Sequence, residues 1–177
     1  DINESRATEE VTIDKPRVCF TGDVMYDCIL HYGKTEKNKI DDSLRRVLGI
    51  TNIPPPPFIL LTIHRAESTD NYDKLKNILS AFSIISKKIK IILPLHPRTR
   101  KIIEQSEELS LLVESLFIIK PVTYLEMISL EKYSVLICTD SGGVQKEAYF
   151  LGIPCITLRD QTEWVETVEL GWNKVIG

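Results

Sequence analysis

The sequence predicts an open parallel α/β sheet with helices packed on both faces. Two features carry that prediction. Short runs between turns are apolar throughout instead of alternating, as in parallel strands covered on both sides. Longer segments between them place apolar residues at helical spacing, with lysines on the opposite face. Strand, helix, strand, helix in one chain gives parallel strands joined by right-handed crossovers.

In chain order, the first apolar run is Val18-Cys19-Phe20. Asp41 and Asp42 start a helix that ends near Gly49. Pro54 to Pro57 is a stiff spacer inside the domain, since strand-like runs flank it. The next run is Phe58 to Ile63, followed by a helix carrying Leu75, Ile78, Leu79, Phe82 and Ile85. Ile89 to Leu95 and Leu116 to Ile119 are further strands. Thr123 with Glu126 three residues on is a capping-box signal for a short helix. Val135 to Cys138 and Pro154 to Leu158 complete the runs.

The totals bound the function. With 177 residues, 43% hydrophobic and 27% charged, the chain is of globular composition and large enough for one ordinary core. A net charge of -3 and a pI near 5.7 recommend neither nucleic acid nor an anionic membrane as partner, so any phosphate site must be local. Cys19, Cys28, Cys138 and Cys155 show no C-x-x-C pairing and read as small hydrophobes of a reducing cytoplasm, with no metal site. No stretch has the length of a membrane span or the pattern of a signal peptide. The chain opens on DINESRATEE and stops on NKVIG, which reads as a piece of something larger.

In open parallel sheets, ligands bind beyond the carboxyl ends of the strands. Three polar clusters follow strand-like runs: Thr62 to Ser68, His96 to Thr99, and Asp140 to Gly143. In the last, D-S-G-G follows VLIC and opens a helix. Serine proteases with a similar run are β-barrels, and the nucleophile elbow G-x-S-x-G is absent. Gly142 and Gly143 let backbone approach a ligand, and a helix start offers free N–H groups to an anion. Ser141 therefore reads either as a phosphate-site residue or as a plain helix cap. Glu147 falls about a turn inside that helix, where it can accept from vicinal hydroxyls. No Walker lysine and no G-x-G-x-x-G is present, which excludes a P-loop ATPase and a dinucleotide dehydrogenase. His64 can act as acid or base or hold a phosphate oxygen, and Arg65 can fork onto one. His96-Pro97-Arg98 repeats that pattern at the next strand end, and Arg159 follows the last run towards the same edge. His31 lies in a helical segment and reads as structural.

These residues in this order resemble the non-hydrolysing UDP-N-acetylglucosamine 2-epimerases. The matching elements are TGDVMYD, T-x-HR-x-E, HPRT, P-x-x-Y, DSGG-x-QKEA, and LGIP followed by R-D-x-TE. The resemblance implies a Rossmann-like sheet forming one half of a glycosyltransferase-B-type enzyme. Residues 17–177 would be the C-terminal nucleotide-binding domain, 1–16 the remnant of an inter-domain segment, and the N-terminal catalytic domain would lie elsewhere. It implies that Ser141, Gly142 and Gly143 hold a diphosphate, Glu147 the ribose, and His64 the catalytic side. Arg65, Glu67, His96 and Arg159 are substrate-binding motif residues, His96 belonging in some bacterial members to a regulatory nucleotide-sugar site. UDP would leave across C1–C2 to give a glycal and add back on the other face, with no cofactor. A soluble cytoplasmic homodimer is implied, and this piece alone would be inactive.

The chain also departs from the family pattern. H-R-x-E-N ends here in Ser68, Met127 stands near the aromatic position beside the uracil, and T-E-R-P-E reads Thr162-Glu163-Trp164-Val165-Glu166. The last form, with QKEAYF and GDVMYD, resembles the branch acting on UDP-2,3-diacetamido-2,3-dideoxy-glucuronate, and archaeal-type members carry it as well. A glycosyltransferase of the same arrangement, a nucleotide-binding module without chemistry and a serine hydrolase are the other classes weighed.

Overall fold

The computed structural model describes residues 22–35 and 37–177, so the run Val18 to Phe20 and segment 1–16 lie outside the described residues. Within them, β1 (Phe58–Thr62), β2 (Lys90–Pro94), β3 (Phe117–Ile119), β4 (Leu136–Thr139), β5 (Cys155–Thr157) and β6 (Asn173–Val175) form one sheet. Its order is β3-β2-β1-β4-β5-β6, and every neighbouring pair is parallel.

The chain lays down β1, β2 and β3 outwards, then returns to place β4 on the other side of β1. That reversal puts Leu60 opposite Ile137 and Thr62 opposite Thr139. Loops leaving the two strands diverge to opposite faces there, which opens a crevice at the switch point.

Both faces are covered, which is why the strands are apolar throughout. Ile59, Leu61, Ile91 and Leu93 pack with Leu75, Leu79 and Phe82 of α4 (Tyr72–Ile85), Ile103 of α5 (Pro97–Glu104), and Leu109 and Val113 of α6 (Glu107–Val113). On the other face Phe58, Leu60, Ile92 and Ile137 meet α2 (Lys37–Leu48), α7 (Tyr124–Tyr133) and α8 (Gly142–Leu151) through Leu44, Leu48, Leu130, Val144 and Ala148. Ile29 of α1 (Val24–Thr35) packs outside that layer on Ile40 and Ile128. Each such fully buried side chain contributes about 1.5–3 kcal/mol of transfer free energy.

Two elements differ from the expectation. The helix expected at Asp41 starts at Lys37, because burying Ile40, Leu44 and Leu48 on one stripe requires helix before Ile40. Asp41 then lies inside it and accepts from the Tyr133 hydroxyl at 2.5 Å. Strand β6 carried no recognisable run; it is three residues long, and its pairing is fixed from outside, by Asn173 accepting from the buried Thr157 hydroxyl at 2.9 Å. The capping box at Thr123 is formed: Thr123 N–H donates to Glu126 Oε2 at 2.8 Å, and Glu126 N–H to Thr123 Oγ1 at 3.4 Å. Cys138 and Cys155 are buried and unbridged, and burial pushes each thiol up to about 12.

Candidate functional site

The centre of the site is a staple between the ends of β1 and β4. The Thr62 and Thr139 hydroxyls meet at 2.6 Å, and Thr139 Oγ1 also accepts the Ser141 N–H at 2.9 Å. Asp140, fully buried, accepts the His64 N–H at 3.0 and 3.1 Å and the Arg65 N–H at 2.9 Å. Its carboxylate also lies 3.2 Å from His64 Nδ1. Burial works to raise the Asp140 pKa, but the His64 ring and the two N–H donors outweigh it and hold the carboxyl below its usual range. A fixed carboxylate on Nδ1 orients the imidazole and leaves its other nitrogen available.

His96 sits at the N-cap of α5, where Nδ1 accepts the Arg98 N–H at 3.2 Å, and its ring centre is 5.6 Å from that of His64. The Arg98 side chain leaves this cluster. It binds Asp70 at 2.6 and 2.7 Å and Thr69 at 3.1 Å, tying α5 to α3 (Ala66–Thr69). A cleft of about 300 Å³ opens beside the two histidines, with Thr62, Val122, Met127 and Val144 on its walls. A larger cavity, about 740 Å³, runs along the sheet face under α4 between Phe82, Leu136 and Ile156; Glu67, Lys74 and Asp160 are among its lining residues and neither His64 nor His96 is.

Helix α8 begins at this edge. Ser141 is its N-cap, and Oγ accepts the Val144 N–H at 3.5 Å, the long limit of a hydrogen bond. The cap is therefore present but weak. A Cβ on Gly142 would lie 2.3 Å from Glu163 Oε1 and 3.3 Å from Arg65 Nη2, so any other residue there must displace the ends of those two side chains. Gly142→Ala is expected to melt within about 1 kcal/mol of wild type, because alanine's helix propensity offsets a clash that flexible Glu163 can relieve. Its affinity for a phosphate-bearing ligand at the helix start should fall several-fold as Glu163 and Arg65 are displaced. Calorimetric titration with unchanged affinity would show that this close approach is not used.

A chain of ion pairs borders the helix start. Glu163 bridges Arg159 Nη1 at 2.7 Å and Arg65 Nη2 at 3.4 Å; Glu67 reaches Arg159 Nε at 3.5 Å and Lys74 at 3.8 Å. Arg65, Glu67 and Arg159 are thus one group, joined to His64 through the Arg65 N–H on Asp140. Trp164 donates its indole N–H to the Gly142 carbonyl at 2.8 Å, and Lys146 lies 4.3 Å over its ring. Gly143 has room around it, with Met25 Cε 3.5 Å from a Cβ position.

Glu147 lies one turn into α8 but does not face open solvent. It is 6% exposed and lies beside the Tyr124 hydroxyl and the Glu131 carboxyl. Burial pushes its carboxyl up, while those two contacts pull the other way. His31 lies on α1 against the Tyr32 ring.

The strand-end residues are legible in the sequence, whereas no local pattern assigns a role to Asp140, Gln145, Glu163, Tyr124 or Glu131. Gln145 is fully buried, accepting from Thr162 at 2.5 Å and Asn173 at 3.2 Å. A carboxylate immediately before S-G-G was a signal for Asp140; the others are defined by partners distant in sequence. Among the described residues no group of three or more His, Cys, Asp or Glu could hold a metal, and no helix is long and apolar enough to cross a membrane.

The model of the family described as UDP-N-acetylglucosamine 2-epimerase matches residues 5–177. A UDP-N-acetylglucosamine 2-epimerase homolog of Methanococcus maripaludis is 50% identical over 158 residues, covering 88% of this chain and 43% of that protein. The UDP-2,3-diacetamido-2,3-dideoxy-D-glucuronate 2-epimerase of Pseudomonas aeruginosa is 45% identical over 162 residues, 91% of this chain and 42% of its own length. The crystal structure of Methanocaldococcus jannaschii UDP-GlcNAc 2-epimerase in complex with UDP-GlcNAc and UDP superposes with a TM-score of 0.78 at 40% identity, over 91% of this chain and 44% of the other. The chain thus spans a little under half the length of these relatives. The doubly wound sheet, the strand-end cluster and a family match running from residue 5 to residue 177 lead to one conclusion: this chain belongs to the UDP-N-acetylglucosamine 2-epimerase family.

Proposed function

We propose that this chain is the nucleotide-holding half of a two-domain enzyme interconverting UDP-GlcNAc and UDP-ManNAc. The observation that carries the reading is the meeting, at the β1–β4 switch point, of a glycine-opened helix N-terminus with His64 and His96. The C2 hydrogen of an N-acetyl sugar is too weakly acidic for simple deprotonation. Breaking the C1–O bond to UDP while C2 loses its proton gives a glycal, and UDP re-adds with the proton delivered to the opposite face. Fixed donors at the leaving diphosphate supply much of the stabilisation such a step needs. The N–H groups opening α8 are such donors, with His64 beside them locked by Asp140. An N-terminal domain would bring the groups that move the C2 proton, and the intact enzyme would pair with a second copy.

The discriminating experiment incubates the full-length protein with UDP-GlcNAc and no acceptor. Formation of UDP-ManNAc is the expected result. Turnover only after an acceptor is added would point to a glycosyltransferase instead. A second reading, a 2-epimerase acting on UDP-2,3-diacetamido-2,3-dideoxy-glucuronate, is favoured by Trp164. It takes the place of the usual arginine and is locked onto the Gly142 carbonyl. Offering both sugars to the same preparation separates the two.

The roles of Glu147 and Ser141 are testable together. Glu147→Gln is expected to weaken UDP binding by about 2 kcal/mol, the cost of spoiling a charge-assisted hydrogen bond. Ser141→Ala should lower turnover without abolishing it, because the backbone N–H groups of Gly142 and Gly143 remain. Complete loss of turnover with intact UDP affinity would make Ser141 a nucleophile and overturn that assignment.

A further inference from the structure

Glu131 is fully buried near the end of α7, and no hydrogen-bond donor reaches either of its oxygens among the described residues. The group facing it is the carboxyl of Glu147, across the packed α7–α8 interface. The Tyr124 hydroxyl, from the first turn of α7, lies beside that same Glu147 carboxyl. Cys155 of β5 lies near Glu131 and Cys28 of α1 near Tyr124, and among the described residues no lysine, arginine or histidine acts on either carboxyl. Two carboxyls in contact in a buried place without a cation cannot both be ionised. One proton must lie between them.

The same conclusion follows from burial, which is greater for Glu131 than for Glu147. Burial, then the Glu147 charge and the hydrogen bond to it, push the Glu131 carboxyl well above the usual range. Glu131 is the acid that keeps the proton, and Glu147 the carboxylate that accepts it. Without such a contact a buried acid is costly, since an apolar residue of the same size fits a helix–helix interface better. An acid at this position is explained by what it does to its neighbour.

We propose that Glu131 is a positioning residue for nucleotide binding: its neutral carboxyl and the Tyr124 hydroxyl together clamp the Glu147 carboxylate in the one orientation that accepts the vicinal hydroxyls of a ribose. The inference rests on the assignment of Glu147 to the ribose. Tyr124 and Glu131 each occupy a lone pair of Glu147, and the remaining lone pairs are aimed by the clamp. Preorganisation of this kind raises affinity by removing the freedom a lone glutamate would lose on binding.

The test compares UDP with 2′-deoxy-UDP on the full-length protein by calorimetric titration, with melting temperatures for every variant. Wild type should prefer UDP by about tenfold or more, as expected for a buried acceptor left without its hydroxyl. Glu131→Leu is expected to melt no lower than wild type and to lose most of that preference through weaker UDP binding. Glu131→Met, unbranched and of similar volume, is the second apolar variant should Leu fail to fold. Glu131→Gln keeps a donor towards Glu147 and should hold the preference within about threefold of wild type. If wild type does not discriminate, or Glu147→Gln leaves discrimination intact, the ribose assignment fails and this inference with it. If Glu147→Gln abolishes the preference while a folded Glu131→Leu or Glu131→Met retains it, the ribose assignment stands and the positioning role of Glu131 is wrong.

Discussion

His64→Ala in the full-length enzyme is expected to lower turnover by about 100-fold or more, the usual loss when a positioned acid–base or charge-stabilising group is removed. The imidazole is oriented through Nδ1 on Asp140, whose carboxylate also holds the backbone N–H of the same residue. That leaves one nitrogen directed by geometry alone. UDP affinity should fall much less than turnover, because the helix N-terminus and Glu147 are untouched. A kcat within about threefold of wild type would reduce His64 to a surface residue, while an equal loss of affinity and turnover would make it a binder.

Asp140→Ala is expected to cost about 3 kcal/mol of folding stability, because it strands the part-buried N–H groups of His64 and Arg65 without their acceptor. For a chain of this length that is a fall in Tm of roughly 6–12 °C. Asp140→Asn, which keeps one acceptor oxygen, should lose less. The pH dependence has a definite sign. The Asp140 pKa is depressed in the folded state, so its contribution is complete above the ordinary value of 3.8 and is lost as pH falls below it. The difference in Tm between wild type and Asp140→Ala should therefore be full near neutrality and shrink in acid. Melting curves separated by the same interval at every pH would mean the carboxylate's charge is irrelevant to the staple.

Much of the fold could be read along the chain because the signals are local. Phe58 to Thr62 is apolar at nearly every position because helices cover both its faces, and that is visible in five residues. The Thr123–Glu126 box and the helix start at Ser141 are likewise written within three or four positions. The start of the second helix is not legible locally, because the acidic pair Asp41–Asp42 resembles a cap while the buried stripe beginning at Ile40 decides the boundary. The β6 edge strand, with polar residues at two of its three positions, had no run to read.

What the sequence by itself determined was the identity of the elements, the end of the sheet at which His64, His96 and Ser141 would meet, and the glycine-opened helix that follows β4. A residue's spacing fixes which face of its own element it occupies, and strand direction fixes the edge. Which elements become neighbours was decided only by the tertiary structure, through the return of the chain from β3 to the far side of β1. Asp140 reaches the His64 N–H across 76 positions, and Glu163 reaches Arg65 across 98. The facing of Glu131 on α7 with Glu147 on α8 has the same origin. Each helix carries one acid with no local partner, and only the packing of the two helices makes a shared proton necessary.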